Sequence, residues 1–483
     1  MVNRLLLLFE LFILFLLASS LKEEGVLKYL TFDFYTNLTL NNSMKPIQFF
    51  QTAFYNQIYI NLKVGSTKQN IPFYLYLQQY PLVLQSANSK NGEIKGIYDE
   101  NKSDKYRKIS EEKEFISGDL VKGILSEDIF EINSNPSIIK FYLSVENYKP
   151  SHLTSGGKIG LKYYRGDDEE ENSGFTKNLK DLDLISTYDV SILYDSTSFD
   201  NDRGKLFIGA LPHEIDKNRY KLEYYNKFTV SNLYGLWDFW FDNTFLGQEV
   251  VESSKQAYFY PEFGFIVGTR NFFEKLNNIS KWHEYFNITK KCHFSNFHID
   301  DMDANIHGDL RFSFEFTGYY CDKDVNVYDI INENLTFHLN TKPDIFSLNS
   351  KDIWIEKNGY KYFLILQTLN PENSWIFGKP FFKKFHMVFN LNSFQISVYS
   401  QVNYNDAPSD NKPTNHTILY ICIILGLVLI VGVLAFFLIK FYIYGPRKKR
   451  ANELLDDNFE YKPHENEENK IIASEDGENE NVK

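Results

Sequence analysis

Short runs in which apolar and polar residues alternate recur through residues 54–400, and they constrain the fold more than any other feature of the chain. The clearest runs are residues 59–64, 129–132, 204–209 and 394–398. Alternation with period two buries one face of a strand, and the Gly, Asn, Asp and Pro residues that bound each run are typical of turns. Helical spacing is limited to residues 271–278 and a short turn at 378–384. The sequence therefore predicts an all-β domain.

The N-terminus has the pattern of a secretory signal peptide. Arg4 precedes an apolar run over residues 5–17, and the small residues Ala18, Ser19 and Ser20 follow it. We expect cleavage after a signal peptide of residues 1–20. The alternative is an uncleaved membrane anchor, although the apolar run is short for a membrane span.

A second apolar run indicates a transmembrane helix. Residues 418–439 contain no charged side chain, and as a helix they would be roughly 33 Å long, enough to cross a bilayer. Lys440 and the basic residues 447–450 follow at once, which places the C-terminus in the cytoplasm. We therefore predict a single-pass type I protein of the secretory-pathway or plasma membrane, with a transmembrane helix over residues 418–440.

Composition describes the segments on each side of that helix. The 43 Phe and 33 Tyr residues, against 4 Met, favour β-sheet packing. The net charge is −12, and much of it comes from residues 451–483, which contain few aromatic residues. The whole acidic tail, residues 441–483, is expected to be cytoplasmic and disordered. The sequence has no stripe of basic residues that would predict nucleic-acid binding. Residues 21–53 are expected to be a short N-terminal segment, and residues 401–417 a stalk.

The three cysteines and the sequons fit an oxidising compartment. Cys422 lies in the predicted membrane helix, so a single disulfide between Cys292 and Cys321 is expected. A zinc site that adds His293 and His298 is the alternative. Residues 301–312 begin like a calcium loop but lack its Gly and Glu, and neither a metal nor a cofactor is expected. Glycosylation is predicted at Asn37, Asn41, Asn101, Asn278, Asn287, Asn334 and Asn415.

One late segment is the most specific local pattern. Residues 374–391 read Ser-Trp-Ile-Phe-Gly-Lys-Pro-Phe-Phe-Lys-Lys-Phe-His-Met-Val-Phe-Asn-Leu. This segment resembles the closing segment of pepsin-like (A1) aspartic proteases, apart from Lys379 and Asn390, where that family has Asp. Further segments resemble the family in the same order along the chain: residues 64–73, 123–128, 156–161, 205–209, 235–239 and 334–339.

The resemblance implies a bilobal fold. Two β-rich lobes, residues 54–215 and 216–400, would be related by pseudo-twofold symmetry and separated by a cleft. In the family each lobe supplies one Asp-Thr/Ser-Gly, and the two carboxylates share a proton and activate a water. The flap tyrosine that closes over substrate would correspond to Phe115 or Ile116.

The matching positions lack the catalytic residues of the family. The first motif falls on Gln78, Gln79 and Tyr80, and the second falls on Tyr260, Pro261 and Glu262. An amide is no general base, and a phenol has a pKa near 10. Neither Asp-Thr-Gly nor Asp-Ser-Gly occurs anywhere in the chain. The degenerate positions are therefore Gln78 and Tyr260.

These observations predict a membrane-anchored pseudoprotease. Its interlobe cleft is expected to bind a peptide or protein without cutting it. Tyr80 and Tyr260 would either fill the cleft or line a pocket, and a filled cleft is favoured because tyrosine rings pack inward. The alternatives are an active aspartic endopeptidase that uses displaced carboxylates, and a structural surface glycoprotein.

Overall fold

The computed structural model describes most of residues 27–400. The described residues are 27–36, 43–77, 81–88, 97–117, 119–147, 156–161, 174–195, 199, 203–229, 237–278, 280–299, 314–339, 342–369 and 374–400. All belong to one compact unit, Met1–Ser409. None of the helices within these ranges is both long enough and apolar enough to cross a membrane. The predicted signal peptide, stalk, membrane helix and tail lie outside them.

Seven short α-helices are described, together with one π-helical turn and three 3-10 turns. The α-helices are α1 (Pro46–Phe54), α2 (Phe175–Asp181), α3 (Pro212–Ile215), α4 (Arg270–Asn278), α5 (Ser280–His283), α6 (Ser350–Ile353) and α7 (Lys379–Lys384). The π-helical turn is Glu284–Ile288, and the 3-10 turns are Glu100–Lys102, Leu222–Tyr224 and Val327–Asp329. Helices α4 and α7 confirm the two helical segments that the sequence predicts.

Twenty-four strands are described, and their dominance confirms the predicted β character. The first twelve are β1 (Leu30–Thr36), β2 (Ile58–Val64), β3 (Gln69–Tyr76), β4 (Val83–Gln85), β5 (Arg107–Ser117), β6 (Asp119–Ile132), β7 (Asn135–Asn147), β8 (Gly157–Gly160), β9 (Asp189–Tyr194), β10 (Arg203–Ile208), β11 (Tyr225–Thr229) and β12 (Asp238–Leu246). The others are β13 (Glu249–Phe259), β14 (Ile266–Gly268), β15 (Cys292–Ile299), β16 (Phe314–Asp322), β17 (Leu335–Leu339), β18 (Lys342–Leu348), β19 (Trp354–Lys357), β20 (Tyr360–Phe363), β21 (Ile365–Thr368), β22 (Trp375–Phe377), β23 (His386–Asn390) and β24 (Gln395–Tyr399).

The strands form two sheets. The first has the order β11-β24-β23-β9-β10-β1-β2-β3-β8-β4-β7-β6-β5. The second has the order β18-β17-β12-β13-β22-β14-β21-β16-β20-β19, and β15 pairs with β16. The six strands from β11 to β1 bring together the two ends of the folded region. Strand β1 lies near its N-terminus and β23 near its C-terminus, and β9 and β10 connect them, because β9 pairs with both β10 and β23. The sheets therefore fit two lobes tied together by a shared set of strands.

The N-terminal segment is an integral part of this fold. Strand β1 pairs antiparallel with β10 over six residue pairs and with β2 over two. Helix α1 follows, with Pro46 in its first turn, where the missing N–H costs nothing. Its buried side chains are Phe49, Phe50, Ala53 and Phe54, while the residues between them face solvent. The sequence predicts only a short N-terminal segment over residues 21–53, although the spacing of its aromatic residues is a signal for an amphipathic helix.

Candidate functional site

Each lobe contains one ψ motif, in which a central strand pairs with two strands that follow each other in the chain. In the N-terminal lobe β8 runs parallel to β3 and antiparallel to β4. In the C-terminal lobe β22 runs parallel to β13 and antiparallel to β14. We call residues 77–82 and 260–265, which connect the paired strands, the first and second ψ loops.

The strand registers show which residues of the two lobes correspond. Lys158 lies opposite Tyr74 and Val83 in the first motif. Ile376 lies opposite Tyr258 and Val267 in the second. Because both connections have the same length, the residue that corresponds to Tyr260 by register is Tyr76.

That position differs by two residues from Gln78, which the spacing from Phe73 predicts. Gln78, Gln79 and Tyr80 themselves lie outside the described residues, so their assignment stays a prediction. Tyr76 closes strand β3 and is 5% exposed, and the Lys158 ammonium lies 5.5 Å from the centre of its ring. The first ψ loop has no Asp or Glu in its sequence.

The second ψ loop is described throughout. Tyr260 follows β13, and its backbone N–H donates a 2.9 Å hydrogen bond to the carbonyl of Phe377. Its buried ring stacks on Phe263 at 5.0 Å. Pro261 is buried and Glu262, the single carboxylate of this loop, is partly buried. An aromatic side chain therefore occupies the position that the sequence analysis matched to the second catalytic Asp.

Helix α1 lies on the same face of the C-terminal lobe as Tyr260. The Phe49 ring stacks on Tyr362 at 3.9 Å, and the Phe50 ring stacks on Phe297 at 5.7 Å. Phe54 lies 5.0 Å from Phe263, the ring on which Tyr260 stacks. We call this surface the aromatic face; its buried residues outside α1 include Tyr258, Tyr260, Phe263, Phe265, Val267, Phe297, Phe316, Tyr362, Leu366 and Ile376.

Backbone contacts hold the end of α1 directly against the second ψ loop. The Gly264 N–H donates to the Phe54 carbonyl at 2.8 Å, and the Asn56 N–H donates to the Glu262 carbonyl at 2.7 Å. The Asn56 amide also donates to the Pro261 carbonyl at 3.0 Å. A β-carbon at Gly264 would fall 1.7 Å from the Ala53 carbonyl oxygen, so this approach requires glycine.

The profile of eukaryotic aspartyl proteases matches residues 61–401. The chain belongs to this family. The match confirms the resemblance drawn from the late segment and from the ordered motifs. No curated protein sequence matches the chain. As an aspartyl protease homologue, the chain keeps both ψ motifs and the strands that join the lobes.

The two ψ motifs of this aspartyl protease homologue differ in the side chains beside them. In the N-terminal lobe Val83, Tyr142 and Leu125 lie opposite one another on neighbouring strands and form a small apolar cluster. In the C-terminal lobe the register places Gly318 where the N-terminal lobe has Leu125. Phe50 fills the space above Gly318. The glycine therefore makes room for α1 on one lobe only.

Two buried lysines lie at the base of the second ψ motif. Lys379 begins α7, and its backbone N–H donates to the Phe263 carbonyl at 2.7 Å. Its ammonium lies 4.4 Å from the centre of the Phe199 ring, and that of Lys383 lies 5.1 Å from the Tyr194 ring. Such contacts favour a cation that is removed from water. Lys379 takes the place where the sequence comparison expects Asp.

The flap region keeps its hairpin. Phe115 pairs with Val121 and Ile116 pairs with Leu120, beside the turn between β5 and β6. The backbone therefore places both residues at the end of this hairpin, as the resemblance implies for a flap.

The remaining predicted residues lie away from both ψ loops. Cys292 and Cys321 form the predicted disulfide across β15 and β16, so their thiolates are not available to zinc with His293 and His298. Within the described ranges no group of three or more His, Cys, Asp or Glu could hold a metal ion. Four predicted glycosylation sites are exposed: Asn101, Asn278, Asn287 and Asn334. Asn37, Asn41, Asn415 and the calcium-like loop lie outside the described residues.

Proposed function

We propose that this family member is a pseudoprotease that binds a peptide or protein without hydrolysing it. The observation that carries the proposal is the residue pair selected by the ψ-motif register. Tyr76 and Tyr260 correspond to each other across the lobes, and neither is a carboxylic acid. Proton sharing between two carboxylates is the basis of aspartic catalysis, and a phenol with a pKa near 10 cannot replace either partner at acidic or neutral pH.

The surroundings of the second ψ loop support the same proposal. Helix α1 covers the aromatic face, so a substrate and a nucleophilic water would have to displace buried phenylalanine rings there. Glu262 is a single carboxylate, and its loop is held by hydrogen bonds from Asn56. One general acid–base group contributes about 10²–10⁴-fold in rate, and the paired arrangement needs two.

The proposal includes a place in the cell. Residues 418–440 would anchor the protein as a single-pass type I membrane glycoprotein, with residues 21–417 lumenal or extracellular. The charge-free apolar run, the basic residues after it and the exposed sequons support this topology. Glycosidase treatment of the membrane-bound protein should lower its apparent mass. Protease applied from the cytoplasmic side should remove only the tail.

The experiment that tests the activity is a cleavage assay on the purified full-length protein. A mixed peptide library is incubated from pH 3 to pH 7, with and without pepstatin, and products are read by mass spectrometry. We expect no pepstatin-sensitive cleavage at any pH. Cleavage by the wild type that is lost in the Glu262→Gln variant would instead support an endopeptidase with displaced carboxylates.

A further inference from the structure

We propose that the aromatic face is a binding site for an amphipathic helix that carries phenylalanines, and that α1 is its built-in occupant. This inference rests on the proposed function and names its site and ligand class. A partner helix would replace α1 on the C-terminal lobe. The peptide-binding surface would thus be the groove under α1, next to the second ψ loop.

The fit of α1 defines the ligand. Phe49 and Phe50 are followed by Ala53 and Phe54 on one helical face, and all four side chains are fully buried. The opposite side of α1 is exposed, and the helix has no acidic residue in its first turn and no basic residue in its last. The groove therefore selects aromatic rings one, four and five positions apart rather than charge. Helix-in-groove recognition uses anchors with this kind of spacing.

The groove contains a polar group that α1 does not satisfy. Among the described residues, the Tyr362 hydroxyl, beneath the Phe49 ring, has no hydrogen-bond partner, although Tyr362 is fully buried. A buried polar group without a partner disfavours the conformation that contains it. A ligand with a polar group next to the Tyr362 hydroxyl would supply the hydrogen bond that α1 does not make.

Two glycines shape the site for a helix. Gly264 admits the Phe54 carbonyl to its N–H, and Gly318 leaves room for the Phe50 ring. The corresponding position in the N-terminal lobe is Leu125, whose side chain packs against Val83 and Tyr142. Gly318 therefore lies in the proposed binding site, and Leu125 is the matched control position in the other lobe.

The test uses the full-length protein and a fluorescein-labelled peptide with the sequence of residues 43–57. The Phe50→Ser variant weakens the built-in occupant. Since α1 competes at a high effective concentration, the variant should bind the peptide at least tenfold more tightly than the wild type does. Fluorescence anisotropy measures the binding.

Two second-site variants locate the groove. Adding Gly318→Leu to Phe50→Ser should abolish binding, because the new side chain fills the space that the Phe50 ring occupies in the wild type. Adding Leu125→Ala should leave binding unchanged. Equal affinity of the wild type and Phe50→Ser for the peptide, or no effect of Gly318→Leu, would overturn the proposal.

Hydrogen exchange on the wild type tests the site even where Phe50→Ser fails to fold. Excess peptide should accelerate exchange of the α1 amides and leave those of β2 unchanged, and identical exchange with and without peptide would overturn the proposal. The recovered peptide is also analysed by mass spectrometry. An intact peptide agrees with the proposed function, whereas a bound and cleaved peptide would refute the pseudoprotease and leave the site standing.

Discussion

The ring of Phe50 lies over Gly318 so closely that a β-carbon at Gly318 would fall 2.6 Å from it. We expect Gly318→Ala to lower the free energy of unfolding by about 1–3 kcal/mol, the usual cost of overpacking. Chemical denaturation measures this loss. In the Phe50→Ala background the same substitution should cost less than half as much, because the ring that opposes the methyl group is gone. Additive losses in the double mutant would contradict the contact.

Tyr260 is buried in this structure, and its ring stacks on that of Phe263. Replacing it by Asp would place a carboxylate against the Phe263 ring, where Tyr260 is 6% exposed. We expect Tyr260→Asp to destabilise the protein by about 3 kcal/mol, because an unpaired buried charge is costly. Tyr260→Phe, which keeps the ring, should cost no more than about 1 kcal/mol. A stable Tyr260→Asp variant that gains pepstatin affinity would show that the loop still supports a catalytic geometry.

His386 makes the stability of the shared strands depend on pH. Burial, helped by the charge of Arg219, lowers the pKa of His386 to about 3, while its ring accepts or donates a 3.0 Å hydrogen bond with Tyr220. The unfolded chain takes up this proton near pH 6.5, so the native state loses stability as pH falls from about 6.5 towards 3, by up to about 1.4 kcal/mol per pH unit. Above pH 6.5 the group contributes no pH dependence.

Replacing His386 by Phe should therefore flatten the dependence of unfolding free energy on pH between 6.5 and 3. Urea unfolding at a series of pH values measures the slope. His293→Gln, at a more exposed site on β15, is the matched control and should keep the wild-type slope. Equal slopes in the two variants would show that other groups dominate acid unfolding.

The disulfide holds the hairpin on which α1 rests. Cys292 and Cys321 pair at one end of β15 and β16, and these strands carry Phe297 and Phe316 of the aromatic face. The bond joins two cysteines that are 29 positions apart in the sequence. The free energy of unfolding of the Cys292→Ser/Cys321→Ser variant should therefore be lower by about 3 kcal/mol. Thermal unfolding with and without reductant measures it, and the double variant should be insensitive to reductant. Unchanged hydrogen exchange of the α1 amides in that variant would show that the stability of α1 does not depend on the hairpin.

Several elements were predictable because their signals are local. Strand β2 alternates between buried and less buried residues, as its sequence predicts, whereas β10 and β24 also exist as predicted but are buried at consecutive residues. The short helical patterns of α4 and α7 are local as well. The disulfide followed from having two cysteines outside the predicted membrane helix. The family followed from motifs whose order along the chain can be read directly.

Helix α1 was not predicted because its stability comes from distant residues. Nine residues form a marginal helix in water, and the four buried side chains of α1 are covered by strands more than 200 positions away. The correspondence of Tyr76 with Tyr260 was not predicted for the same reason, because it depends on pairing between strands that are distant in the sequence. Counting from Phe73 selects Gln78, whereas the hydrogen-bonded partners Lys158 and Ile376 select Tyr76.

The sequence by itself determined the β-rich class, the family and the absence of any Asp-Thr/Ser-Gly motif, because these depend on residue identity and short-range spacing. Only the tertiary structure decided which residues of the two ψ motifs correspond and what covers them. Strand register and the packing of α1 depend on hydrogen bonds and apolar contacts between segments far apart in the chain. The pattern within one segment shows which of its faces is buried, but not which distant segment covers that face.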